Sequence, residues 1–89
     1  MGIVLIKIKI MPASPETDLE KIKDKAHSII QEYGKNIMFY EEPIAFGLKA
    51  IIASFDIPEQ EPLEPIEESL RKIKEVNSAQ VIDMRRAFG

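Results

Sequence analysis

Cysteine is absent from the chain, which removes disulfides, thiolate metal sites, redox pairs and cysteine nucleophiles together. Histidine occurs once, so no multi-histidine metal site can form. A surplus of positive charge is also missing: 12 Lys and Arg stand against 15 Asp and Glu, for a formal net charge of −3. Nothing in that balance draws the domain to a phosphate backbone. Apolar runs are short. Gly2–Ile6 falls far below the roughly 20 residues of a membrane span, and the alternating lysines that follow it are unlike a signal peptide. The expectation is a soluble, cytoplasmic protein with no direct nucleic-acid or membrane partner. Its 89 residues make one domain, 1–89, and a chain of this size buries only about 60% of its unfolded surface. Eleven glutamates against four aspartates, with nine lysines, fit a protein from a hot habitat.

What is present is strong periodicity. Over residues 3–10, Val4, Ile6, Ile8 and Ile10 fall on one face, while Ile3, Leu5, Lys7 and Lys9 fall on the other. That period of two, built from β-branched residues, predicts a strand whose even face is buried. Pro12 and Pro15 end it. A helix follows, with Ser14-Pro15 as N-cap and first residue, or with Thr17 and Glu20 as a capping box. Leu19, Ile22, Ala26, Ile29, Ile30 and Tyr33 form its apolar stripe, and Gly34 stands where a C′ glycine ends a helix. Residues 36–42 read as a second strand in which both Ile37/Phe39 and Met38/Tyr40 are buriable. Residues 48–57 read as a third, with Ile51, Ala53, Phe55 and Ile57 on one face; Leu48 breaks that parity and points to a bulge or switch near Gly47. Each proline of the acidic connection Pro58–Pro65 disfavours helix in the residue before it. The second helix is therefore expected from Leu63–Pro65, with Leu63, Ile66, Leu70 and Ile73 buried and Arg71, Lys72 and Lys74 in its last turn. Asn77-Ser78 reads as a turn and 79–86 as a fourth strand of uncertain parity.

The order β-α-β-β-α-β predicts an α+β, ferredoxin-like sandwich: a four-stranded antiparallel sheet with both helices on one face and the first strand between the third and fourth. That architecture hosts many activities, so function rests on particular residues. A metallochaperone loop needs cysteines. An acylphosphatase-like anion cradle needs a basic residue between Met11 and Glu16, where there is none. An RNA-binding sheet needs exposed aromatics on its central strands, and these offer only Phe55, a core position.

Individual side chains give little chemistry. His27 flanks the first helix and reads as a surface residue. Glu41 and Glu42 could hold Mg²⁺, but adjacent strand residues point to opposite faces. The acidic run Glu59–Glu68 reads as a solvated rim. Ser14, Ser28, Ser54, Ser69 and Ser78 have no histidine at a suggestive spacing, so no nucleophile–base pair is expected.

Two segments stand out. In Pro43-Ile44-Ala45-Phe46-Gly47 an aromatic is held between proline and glycine, either capping the core or serving as an exposed anchor for a partner. In Asp83-Met84-Arg85-Arg86 two arginines end the last strand on opposite sheet faces, either paired with acids at the rim or presented to a partner's phosphate or carboxylate.

These segments also carry a resemblance. Met11-Pro12-Ala13-Ser14-Pro15, Glu41 to Leu48, Glu67-Glu68-Ser69-Leu70 and Asp83 to Arg86 together resemble the archaeal elongation factor 1-beta family over Gly2–Arg86. They are also similar to the C-terminal catalytic domain of the eukaryotic factor, whose Pro-x-Gly-aromatic-Gly loop matches Pro43, Phe46 and Gly47 and departs at Ala45. The resemblance implies guanine-nucleotide exchange on elongation factor 1-alpha, with no covalent chemistry and no metal or cofactor of its own. It implies a partner-binding role for Pro43, Phe46 and Gly47. It implies an exchange-promoting role for Arg86, helped by Arg85, at the position of a eukaryotic lysine that reaches the GTPase's Mg²⁺ and phosphate region. Arginine is the bulkier, planar cation and does not simply replace lysine. The chief alternative is a small-molecule-binding regulatory domain of the same fold, paired through a surface that includes Ile3 and Leu5. An enzyme of this topology is disfavoured by the missing anion cradle.

Overall fold

The computed structural model describes residues 2–88. Its elements run β1 (Ile3–Pro12), α1 (Leu19–Ile30), β2 (Lys35–Pro43), a 3₁₀ turn at Ala45–Gly47, β3 (Lys49–Pro58), α2 (Glu64–Arg71) and β4 (Val76–Phe88). The strands form one sheet in the order β2-β3-β1-β4, with every neighbouring pair antiparallel. This is the expected ferredoxin-like arrangement. Ile6, Ile8 and Ile10 pair with Phe55, Ala53 and Ile51 across the two central strands. They share one core with Ile22, Ala26 and Ile30 of α1 and with Ile66 and Leu70 of α2, so both helices cover the same sheet face. Ile73 closes that core, and Ile29 packs against it half-buried rather than fully. No helix of the described residues is long and apolar enough to cross a membrane.

Local signals were resolved by competition. Asp18, not Ser14 or Thr17, caps α1: its carboxylate accepts from the Glu20 N–H at 3.0 Å. Thr17 is instead buried, with its hydroxyl accepting from the Ser14 N–H and donating to Glu75 at 3.2 Å. Gly34 is not a left-handed C′ residue. It is needed because the chain passes so close to β3 that an added Cβ would lie 2.3 Å from the Asp56 carbonyl oxygen. Leu48 lies outside β3, just after the 3₁₀ turn. Helix α2 stops at Arg71, so Lys72 and Lys74 fall beyond its last turn.

Asn77 and Ser78 lie inside β4, and the turn falls earlier, at Ile73–Glu75, with Glu75 at φ 68°. Strand β4 has 13 residues against the 10 of β1, because the pairing slips at three places, leaving Asn77, Ile82 and Ala87 as extra residues. Each bulge reverses the inward–outward alternation. A similar slip between Lys35 and Met38, with Asn36 at φ 56°, precedes the regular part of β2. Past it, Ile37 and Phe39 pack against the core, while Met38 and Tyr40 face out. The outer edge of β4 is partly closed by α2. Arg71 donates to the Ala79 carbonyl at 3.2 Å and Glu67 accepts from the Val81 N–H at 3.3 Å, occupying groups a further strand would otherwise take.

Candidate functional site

The connection between β2 and β3 is a short, internally braced loop. Pro43 pairs with Lys49 as the last rung of the hairpin. Above it the Ile44 N–H donates to the Leu48 carbonyl at 2.7 Å, and the Leu48 N–H donates to the Ala45 carbonyl at 3.2 Å. Closing so tight a turn takes two successive left-handed residues, Phe46 (φ 61°, ψ 33°) and Gly47 (φ 79°). Glycine adopts that conformation freely, whereas an L side chain there costs about 1–2 kcal/mol. Phe46 carries this strain while its ring is 95% exposed, touching almost nothing in its own chain. It therefore does not cap the core. Rare backbone conformations that the surrounding hydrogen bonds hold in place concentrate at functional positions. Gly47 lines a cleft of about 310 Å³ with Pro12, Ser14 and Pro15, which places the first sequence segment of the resemblance beside the loop.

The tail sits at the other end of the sheet. Arg86 pairs with Val4 and Arg85 with Leu5 across β1, so the two side chains leave opposite faces, as alternation predicts. Both are already partnered. Arg86 forms an ion pair with Glu59, and Arg85 Nε lies 3.1 Å from Asp83 Oδ2. Exposed pairs of this kind are worth about 0–1 kcal/mol, so either guanidinium can leave its own acid for a stronger partner. Glu59, which residue types alone placed in a featureless acidic rim, is thus a specific neighbour of Arg86; only the fold joins them.

The structure does not bring loop and tail together. Along β3, Lys49 marks the loop end and Ile57, opposite Val4, marks the tail end. Eight residues at about 3.3 Å each separate them by roughly 26 Å. A single small ligand cannot touch both, whereas a macromolecule can.

The remaining candidates resolve into structure. Glu41 and Glu42 point to opposite faces and each meets a lysine, Lys23 at 2.8 Å and Lys9 at 3.2 Å. Hydrogen bonding from Lys23 holds the Glu41 carboxyl below its ordinary pKa, and the same contact raises that of Lys23. No cluster of three metal-ligating side chains occurs among the described residues. His27 is an exposed helix residue whose ring lies 6.5 Å from that of Phe39. Ser28 donates to the Asp24 carbonyl of its own helix.

Comparison with known proteins gives one consistent answer. Residues 5–87 match the family model described as the EF-1 guanine nucleotide exchange domain. The chain is 42% identical over 89 residues to elongation factor 1-beta of Methanocaldococcus jannaschii, covering 98% of this chain and 100% of that one. It is 44% identical to that of Methanosarcina barkeri, with 97% and 99% covered. It is 38% identical to that of Nanoarchaeum equitans, with 90% and 100% covered.

Proposed function

The chain belongs to the elongation factor 1 guanine-nucleotide exchange family, and from that premise we propose that it promotes GDP release and GTP rebinding on the translation GTPase elongation factor 1-alpha, acting as one unit over residues 1–89. The single observation that carries the reading beyond the family is Phe46, an aromatic held fully outward on a strained, braced turn. Such a side chain supports an anchor role, because burying it against a partner recovers apolar area that the chain itself leaves in water.

The mechanism needs no covalent step. The GTPase grips GDP through P-loop amides, a lysine and Mg²⁺. A factor that binds the empty GTPase more tightly than the GDP-bound form must, by linkage, weaken GDP by the same ratio. Phe46, flanked by Pro43 and Gly47, supplies binding that does not depend on nucleotide. Arg86, assisted by Arg85, supplies positive charge at the Mg²⁺–phosphate site, where like-charge repulsion makes the metal costlier to hold. Exchanging Glu59 for the partner's anion costs Arg86 little, since that ion pair is exposed. A reduction of about 4 kcal/mol in the release barrier corresponds to roughly a thousandfold in rate.

The test is stopped-flow release of a fluorescent GDP analogue from the GTPase. The parent chain accelerates release. Arg86→Ala slows stimulated release roughly ten- to a hundredfold, the loss of one charge-assisted contact, with a smaller effect on affinity for nucleotide-free GTPase. Stripping Mg²⁺ with a chelator narrows the gap between variant and parent. Unchanged rates for both Arg86→Ala and Arg85→Ala would remove the tail from the mechanism and leave the loop to carry it.

A further inference from the structure

Three lysines converge where the start of α1 meets the turn between α2 and β4. Lys21 and Lys25 lie one helical turn apart on α1, and the fold brings Lys74 of the turn to them; all three line one cleft of about 260 Å³. Its apolar lining is Ile22 and Ile73, both buried. Like charges four residues apart destabilise a helix. The neighbouring face of α1 does the opposite, since Lys23 pairs with Glu20 and Glu41. Lys21, Lys25 and Lys74 form no ion pair among the described residues. Two carboxylates share the cleft, yet both are engaged elsewhere. Asp18 is turned to its own helix, where it accepts from the Glu20 N–H at 3.0 Å. Glu75 accepts from the buried Thr17 hydroxyl at 3.2 Å, and its carbonyl accepts from the Ala13 N–H at 2.8 Å. Those two bonds hold Glu75 at φ 68°, a left-handed conformation unfavourable for a residue with a side chain. Strain that the surroundings over-determine in this way is found at ligand clamps. Here it keeps the carboxylate off Lys74 and leaves three ammonium groups without an internal counter-ion.

We propose that this cleft binds a small anion through a terminal phosphate or diphosphate group, held by Lys21, Lys25 and Lys74. Lysine meets phosphate as a compact point charge with three donors, and three of them from two elements surround an anion rather than lie along a strand. A carboxylate would balance only one of them, whereas a multiply charged phosphate balances more and relieves the repulsion between Lys21 and Lys25. The cleft holds roughly nine water volumes of about 30 Å³ each, room for a diphosphate but not for a whole nucleotide. A nucleic-acid backbone calls for a basic stripe on a basic domain, and this chain carries a net charge of −3. Neither Phe46 nor a tail arginine lines the cleft, so the site stands apart from the exchange reading.

The experiment is an NMR titration of the isotope-labelled chain with inorganic phosphate, inorganic diphosphate, GDP and a glutamate-rich peptide, in about 0.1 M salt so that distant surface charges are screened. The expected result is saturable shifts confined to the amides of Thr17 to Lys25 and Ile73 to Glu75, with diphosphate bound more tightly than phosphate. Lys25→Ala and Lys74→Ala each weaken diphosphate binding roughly tenfold. Lys35→Ala, which removes an unpaired lysine at the tail end of the sheet, leaves it unchanged. Without anion, Lys25→Ala melts no lower than the parent, because a like-charge pair has been removed, so its loss of binding is not a loss of fold. GDP bound as tightly as diphosphate assigns the group to the end of a nucleotide, and GDP bound far more weakly assigns it to a free anion; either supports the proposal. The absence of saturation with every phosphate probe overturns it. Equal losses in Lys25→Ala, Lys74→Ala and Lys35→Ala reduce the binding to diffuse attraction and overturn it too. A peptide that binds more tightly than diphosphate assigns the cleft to an acidic protein partner, with the same consequence.

Discussion

Replacing Phe46 by alanine separates an anchor from a core residue more sharply than any other change in the chain. The ring is 95% exposed, so its removal forfeits almost no intramolecular burial. Alanine keeps the Cβ, so the left-handed strain of about 1–2 kcal/mol persists unchanged. The stability difference should therefore stay below about 0.5 kcal/mol. Since 1 kcal/mol shifts the melting temperature of a domain this size by about 4–8 °C, Phe46→Ala should melt within about 3 °C of the parent. Binding should respond quite differently. Burying a phenylalanine side chain on a partner is worth about 1.5–3 kcal/mol, and its loss raises Kd roughly ten- to a hundredfold. Thermal denaturation by circular dichroism and titration calorimetry against nucleotide-free GTPase read the two quantities on the same sample. The reasoning fails if Phe46→Ala unfolds several degrees early while exchange per folded molecule is unchanged, for then the ring packs internally and anchors nothing.

Other consequences follow from packing and charge. Ile8→Ala, at a fully buried position in β1, should cost about 2–5 kcal/mol in urea denaturation, whereas Leu5→Ala on the open face should cost much less; equal costs would show that the faces are misassigned. The two glycines should differ in kind. Gly34→Ala drives a Cβ against the Asp56 backbone and should cost about 1–3 kcal/mol or more, while Gly47→Ala meets open space, its nearest atom 3.9 Å away, and should cost only the left-handed strain of about 1–2 kcal/mol. A reversed ranking in the same denaturation series would refute that assignment. The Lys23–Glu41 pair predicts a pH dependence at both ends. Glu41 has a lowered folded-state pKa, so its stabilisation is present above its unfolded value and is lost as pH falls through the lower folded one. Lys23 has a raised pKa, so its contribution is present below its unfolded value and is lost as pH rises through the higher folded one. Lys23→Met should therefore flatten both limbs of the stability profile, and limbs identical to the parent's would show that the pair contributes nothing.

The parts of this protein legible in its sequence are those where one local rule acts without competition. The unbroken alternation of β1 and β3 reveals which residues enter the core, because side-chain direction has a period of two and nothing interrupts it. The helical stripes place α1 and α2 on that core for a similar reason. The Phe46 loop is visible as proline, aromatic and glycine in close order. Tertiary structure decided the rest. The faces of β2 and β4 were hidden by bulges at Asn36, Asn77, Ile82 and Ala87, which exist only through pairing with a neighbouring strand and reverse the alternation wherever they occur. Gly34 looked like a helix terminator, yet it is required by the approach of β3, a segment more than 20 residues away. Whether Phe46 was buried or exposed turned on the left-handed geometry of a closed hairpin. The partnership of Arg86 with Glu59, and the wide separation of loop from tail, depend on strand order. Periodicity is a property of a single segment and can be read along it, whereas registers, close approaches and the distance between loop and tail are relations between segments that only the assembled sheet defines.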